Sequence, residues 1–185
     1  MRTTNGKRKF TTKEMTSIAI MTAVTCIMAQ IAIPMPAGVP MTMQTFAITL
    51  AGVVLGSKAG AVSSLIYLLL GAVGVPVFSN FTGGAQMLVG PTGGFLISFP
   101  IMAFVSGLAV EQNKKWKFVV LLIVAAVLNY VVGVVMFMAL MKTNFAAAMM
   151  ACVVPFIPTA IVKLIVGGMA GIMIRRRLGE SIPWK

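Results

Sequence analysis

Phe118-Val-Val-Leu-Leu-Ile-Val-Ala-Ala-Val-Leu-Asn-Tyr-Val-Val-Gly-Val-Val-Met-Phe-Met-Ala-Leu-Met141 decides the fold. It carries no charge and exceeds the roughly 20 apolar residues a helix needs to cross a hydrocarbon core. It also lacks the two-residue polar alternation of a lipid-facing strand, so its backbone must satisfy its own hydrogen bonds as a helix. Met15 to Ser57 and Ala59 to Val110 are equally free of charge, and each is long enough for two crossings. Over the whole chain of 185 residues, 59% are hydrophobic and 10% charged, so water is not the solvent for most of it. The sequence predicts an all-α integral membrane protein: one domain, 1–185, of six transmembrane helices.

Helix one is expected over about 14–33, ending where Pro34, Pro36, Gly38 and Pro40 forbid continuation. The basic cluster before it, Lys7, Arg8, Lys9 and Lys13, is shared with signal peptides, but the apolar run is longer than a signal core. Helices two and three are expected over 43–55 and 58–73 as a tight hairpin. Residues 74–94, rich in glycine and free of charge, read as an outer loop, partly re-entrant or buried. Helices four, five and six are expected over 95–110, 118–141 and 153–174.

Basic residues set the orientation. Arg2, Lys7, Arg8, Lys9, Lys13, Lys58, Lys114, Lys115, Lys117, Arg175, Arg176, Arg177 and Lys185 fall on one side of the six-helix scheme, with only Lys142 opposite. The positive-inside rule then puts both termini in the cytoplasm, which an even helix count requires. A formal charge of +12 distributed as such short clusters marks topology rather than a nucleic-acid surface. The expected place is the cell membrane, multi-pass in the lipid bilayer.

Candidate chemistry is sparse. There is no histidine and no aspartate, and Cys26 and Cys152 lie in apolar runs without metal-ligand spacing. No phosphate-binding loop is present, and no nucleophile–base pair is recognisable, so we expect neither an enzyme, nor a metal, nor a cofactor held by this chain.

Lys163 stands out, because a lysine near the bilayer centre costs at least about 2.5–3.5 kcal/mol unless it is solvated or paired. The acids Glu14, Glu111 and Glu180 all fall at expected cytoplasmic edges, so a ligand anion is the natural counter-charge, with snorkelling or backbone carbonyls as the plainer alternative. Gln44, Asn80, Gln86 and Thr92 are uncharged polar groups near the expected outer side, and Phe78, Phe81 and Phe156 could wall a pocket. Ala19 and Ala23, one turn apart, allow close approach of another helix.

Pro34-Met-Pro36, Val39-Pro-Met-Thr-Met-Gln44-Thr, Leu50-Ala-Gly-Val-Val-Leu-Gly56, Gly71-Ala-Val-Gly-Val-Pro-Val-Phe78, Gly90-Pro-Thr-Gly-Gly94 and Pro155-Phe-Ile-Pro158, in this order, resemble the BioY family of biotin transporters. The resemblance covers practically the whole chain. It implies a substrate-binding S component of an energy-coupling-factor transporter, which binds biotin at its outer end. Partners are then a transmembrane coupling subunit and two cytosolic ATPases, with Ala19 and Ala23 on the docking face. It further implies that Lys163 meets the valerate carboxylate of biotin and that Asn80 lies in the loop meeting the ureido ring.

One departure matters. The family has a Gly-Asp pair before the lysine where this chain has Thr159-Ala160, and losing that charge-assisted acceptor would cost about 1.5–3 kcal/mol. Either Thr159, Asn80 or water replaces it, or the substrate is a related carboxylate such as a lipoate-like or biotin-precursor acid. A self-sufficient secondary transporter is the rival of another class, for which intramembrane carboxylates or an inverted repeat would be expected.

Overall fold

The computed structural model describes residues 11–35 and 38–179; Arg2, Lys7, Arg8, Lys9, Pro36, Glu180 and Lys185 lie outside them. Seven α-helical segments dominate: α1 (Thr12–Ala29), α2 (Gln44–Leu55), α3 (Ser57–Ala72), α4 (Gly93–Val110), α5 (Lys115–Met141), α6 (Phe145–Cys152) and α7 (Ile157–Arg177). Three helical stretches, 93–110, 115–141 and 145–177, are long and apolar enough to cross a membrane, while α2 and α3 are shorter apolar helices.

α1 starts on a capping box: the Thr11 hydroxyl accepts from the Glu14 amide at 3.2 Å, and Glu14 Oε2 accepts from the Thr11 amide at 2.8 Å. It stops at Ala29, short of the expected Ile33. The residue before a proline is pushed out of the helical region, so Ala32–Ile33 becomes a two-residue strand, β1, ahead of Pro34. β1 pairs antiparallel with β2 (Met41–Thr42), Ala32 opposite Thr42, closing the proline loop into a small hairpin.

Residues 142–152, left unassigned between the expected helices five and six, are partly helical. Asn144 caps α6 by accepting from the Ala147 amide at 2.8 Å, and the Ala- and Met-rich run behind it has high helix propensity. Pro155, in the short 3-10 turn Val154–Phe156, has no amide hydrogen to carry one regular helix onward, so α6 and α7 meet at a bend.

α4 lies at the centre, packed by α2, α3 and α5. The approach is backbone against backbone: a Cβ on Gly107 would overlap Ser57, and one on Gly52 would overlap the Ala103 carbonyl. Around this contact, Ser57 N donates to Glu111 Oε1 at 2.8 Å, and Arg175 Nη1 donates to the Val54 carbonyl at 2.9 Å. Lys13 Nζ reaches the Leu178 carbonyl at 3.5 Å. These bonds gather the start of α1, the α2–α3 turn and the ends of α4 and α7 at one basic end of the bundle. The opposite end holds the hairpin and the glycine-rich loop.

That loop folds against the core through Phe78, which is 1% exposed and meets Tyr67 edge-on at 5.6 Å. Gln30 holds it at the end of α1: Nε2 donates to the carbonyls of Val77 (3.3 Å) and Phe78 (3.2 Å), and Oε1 accepts from the Phe81 amide at 2.8 Å. Large apolar side chains of α5 and α7 such as Val131, Val135, Ile161 and Ile165 face outward and remain exposed. Such a surface suits lipid tails, whereas water would penalise it.

Candidate functional site

A cavity encloses about 690 Å³ of space free of protein atoms, mouth included, away from the basic end. Its walls come from the hairpin, α2, the glycine-rich loop, α4, α5 and α7. Five residues singled out in the sequence line it: Gln44, Phe78, Thr92, Phe156 and Lys163. Ala160 lines it as well, one helical turn before Lys163.

Lys163, half-buried on α7, donates from Nζ to the Thr42 carbonyl at 2.6 Å. A backbone carbonyl therefore solvates the ammonium, which was the plainer alternative in the sequence, yet a carbonyl carries no charge to neutralise it. Among the described residues the acids Glu14 and Glu111 are engaged at the basic end, with Thr11 and Ser57 respectively. Arg175, which closes that end on α7, is twelve residues from Lys163, about 18 Å along a helix.

From Thr42 a chain of bonds continues inward. Its hydroxyl donates to Gln44 Oε1 at 2.8 Å, Gln44 Nε2 donates to the Tyr67 hydroxyl at 2.6 Å, and that hydroxyl donates to the Val77 carbonyl at 3.1 Å. Gln44 therefore has one amide hydrogen and one lone pair engaged within the protein. The network joins α7, the hairpin, α2, α3 and the loop beneath Phe78, so the cavity wall is held by four consecutive bonds.

Opposite, Asn129 of α5 is 2% exposed; its Nδ2 donates to Ser98 Oγ at 2.7 Å and to the Phe95 carbonyl at 3.0 Å. Tyr130 stands beside it, edge-on to Phe95 at 6.2 Å. Phe95, Phe99 and Phe78 supply the aromatic lining. Together these make a mostly apolar cleft with a few placed polar groups and one cation, which is the composition of a site for a small amphipathic acid.

Six sequence-selected residues fall outside the lining. Asn80 is exposed, in the left-handed region at φ 57°, next to Ser79, which does line the cavity. Phe81 is 73% exposed, and Gln86 turns back to donate to the Gly83 carbonyl at 2.8 Å. Thr159 spends its hydroxyl on the Phe156 carbonyl at 2.9 Å, as helix-borne threonines do. Ala19 and Ala23 are exposed and line an apolar groove between α1 and α3, far along α1 from Gln30.

Tyr67, Thr42 and Asn129 escaped the sequence reading. Asn129 and Tyr67 lie within expected membrane spans rather than at the outer side where uncharged polar groups were sought, yet an amide in the middle of the apolar Phe118–Met141 run was a legible signal, since a carboxamide in hydrocarbon needs partners.

Comparison with known proteins bears on this geometry. The chain is 41% identical over 152 residues to the "Probable biotin transporter BioY" of Pyrococcus horikoshii, covering 82% of this chain and 89% of that relative. It is 36% identical over 169 residues to the "Biotin transporter BioY" of Thermotoga maritima, covering 89% and 96%. Its fold matches a crystal structure described as the S-component for biotin from an ECF-type ABC transporter, with a TM-score of 0.80 at 24% identity over 94% of this chain and 97% of that one. The sequence profile of the BioY family matches residues 2–180, and with two relatives of this identity and coverage the chain belongs to the BioY family of membrane transporters.

Proposed function

We propose that this chain is the biotin-binding subunit of a vitamin uptake system. The observation that carries the reading is Lys163: an ammonium on the cavity wall, bonded to one carbonyl, with the acids of the described residues held at the other end of the bundle. A free carboxylate entering the cavity supplies the missing charge. The aromatic walls at Phe78, Phe95 and Phe156 then cover the apolar ring and chain of the ligand. Gln44 and Thr92 offer polar contacts on the lining, while Asn80, Phe81 and Gln86 sit on the exposed loop and act only if that loop folds inward. Thr159 serves α7 itself rather than the ligand.

The chain holds no ATP-binding loop, so uptake draws its energy from partners: a transmembrane coupling subunit and two cytosolic ATPases. Ala19 and Ala23, exposed on α1, form the surface that meets the coupling subunit. Six crossings in the cell membrane with both termini cytoplasmic complete the reading, supported by the one-sided distribution of basic residues along the sequence. A ligand held by an ion pair in such a cleft leaves slowly, and its release requires the partner to distort the bundle.

Ala160 on the lining favours one rival, a related acid lacking ring N–H donors, such as a lipoate-like compound. The test is isothermal titration of the purified protein with biotin and with lipoate, for wild type and Lys163→Ala. Tight biotin binding lost in the variant is expected. Equal affinity in the variant removes Lys163 from the site, and tighter lipoate binding replaces the substrate.

A further inference from the structure

We propose that Asn129 is a specificity-determining residue whose side-chain oxygen accepts a ring N–H of the ligand, in place of the acid that Ala160 leaves out. The proposal deepens the biotin reading and rests on it.

The orientation of the Asn129 amide is fixed by its partners. The Phe95 carbonyl can only accept, and Ser98 Oγ spends its own proton on that same carbonyl at 2.9 Å, so both neighbours demand a donor. Nδ2 must face them, and turning the amide over would set two oxygens against each other. Oδ1 is the atom left over, and it accepts no hydrogen bond from a described residue. The side chain is 2% exposed and lines the cavity, so this acceptor belongs to whatever the cavity holds.

The donor it calls for is a ligand N–H. Lys163 lines the same cavity and keeps two ammonium hydrogens beside the one given to Thr42, but the ligand carboxylate claims these, whereas the cyclic urea of biotin brings two ring N–H groups that still need acceptors. Ala160 and Asn129 line both the main cavity and a smaller recess between α2, α5 and α7, so the methyl group and the amide face the same space. A ring N–H deprived of an acceptor on α7 finds one on α5. A site built this way discriminates against an acid without ring donors, because binding it would bury Oδ1 unpaired.

The test titrates the full-length protein with biotin and with the two analogues methylated on one or the other urea nitrogen. Wild type should bind at least one analogue about 10- to 100-fold more weakly than biotin. Asn129→Leu should weaken biotin by that factor while barely changing that analogue, so the ratio collapses toward one. Adding Ala160→Asp to Asn129→Leu should restore the ratio, which a variant that had merely loosened α4 from α5 would not allow. Asn129→Thr gives the same readout if the leucine variant does not fold. Parallel weakening of biotin and both analogues, or no weakening, overturns the role of Asn129. Wild-type protein that binds no biotin overturns the underlying substrate reading as well.

Discussion

The Lys163 ammonium and the Thr42 carbonyl, 2.6 Å apart, join α7 to the hairpin between α1 and α2. The bond solvates the cation without neutralising it, so the pair is a compromise between burial cost and readiness for an anion.

Replacing Lys163 by Met separates those two demands. The chain length and volume are nearly kept while the insertion cost of about 2.5–3.5 kcal/mol is relieved. Thermal unfolding in detergent should show an unchanged or higher midpoint, and titration should show biotin affinity reduced at least 100-fold. A destabilised variant that still binds would show the lysine to be structural.

Tyr67→Phe cuts the bond chain in its middle. Gln44 Nε2 loses its partner in a buried place, a cost of about 1–3 kcal/mol, while the Val77 carbonyl keeps its bond from Gln30. A lowered unfolding midpoint is the expected measurement, with slower recovery of ligand binding after heating as its companion.

Gly107→Leu attacks the contact on which α2, α3 and α4 converge. The added side chain has no space beside Ser57, and overpacking of this kind costs about 1–3 kcal/mol or more. Expression of folded protein should fall sharply on gel filtration.

Ala23→Trp fills the groove between α1 and α3 without touching the cavity. Binding of biotin by the isolated chain should stay within about twofold, while uptake by cells that also express the coupling module should be lost. Unimpaired uptake would move the docking surface elsewhere.

Much of the fold was legible because charge is so unevenly spread. Lys58, Glu111 and Arg175 mark helix ends in the sequence, and the structure gathers those ends at one pole. Boundaries were less legible where local chemistry competes: Pro34 ended α1 several residues early, and Asn144 started a helix in a stretch left unassigned. Within the candidate site, Lys163 was readable as a lone cation inside an apolar run, and Gln44, Thr92, Phe78 and Phe156 as polar or aromatic residues near the expected outer side, where the cavity lies. Asn80, Phe81, Gln86 and Thr159 were chosen on the same grounds of polarity, aromaticity and place, yet lie off the lining. Whether such a side chain faces a cavity depends on loop conformation and on bonds within one turn, and hydropathy carries neither. Asn129 was passed over because it lies inside an apolar span, away from the expected outer side, and Tyr67 because its partner Gln44 is distant in sequence.

The carboxamide of Gln30 gives α1 a second task. The middle of this helix carries the exposed small residues Ala19 and Ala23, and the Gln30 cap at its C-terminal end grips Val77, Phe78 and Phe81 through three bonds. A tug on α1 by anything seated on Ala19 and Ala23 therefore arrives at the cavity's ceiling as a mechanical signal, with no relay of intermediate side chains. Should the proposed partner sit on Ala19 and Ala23, one stiff helix would carry its pull to the loop over the cavity.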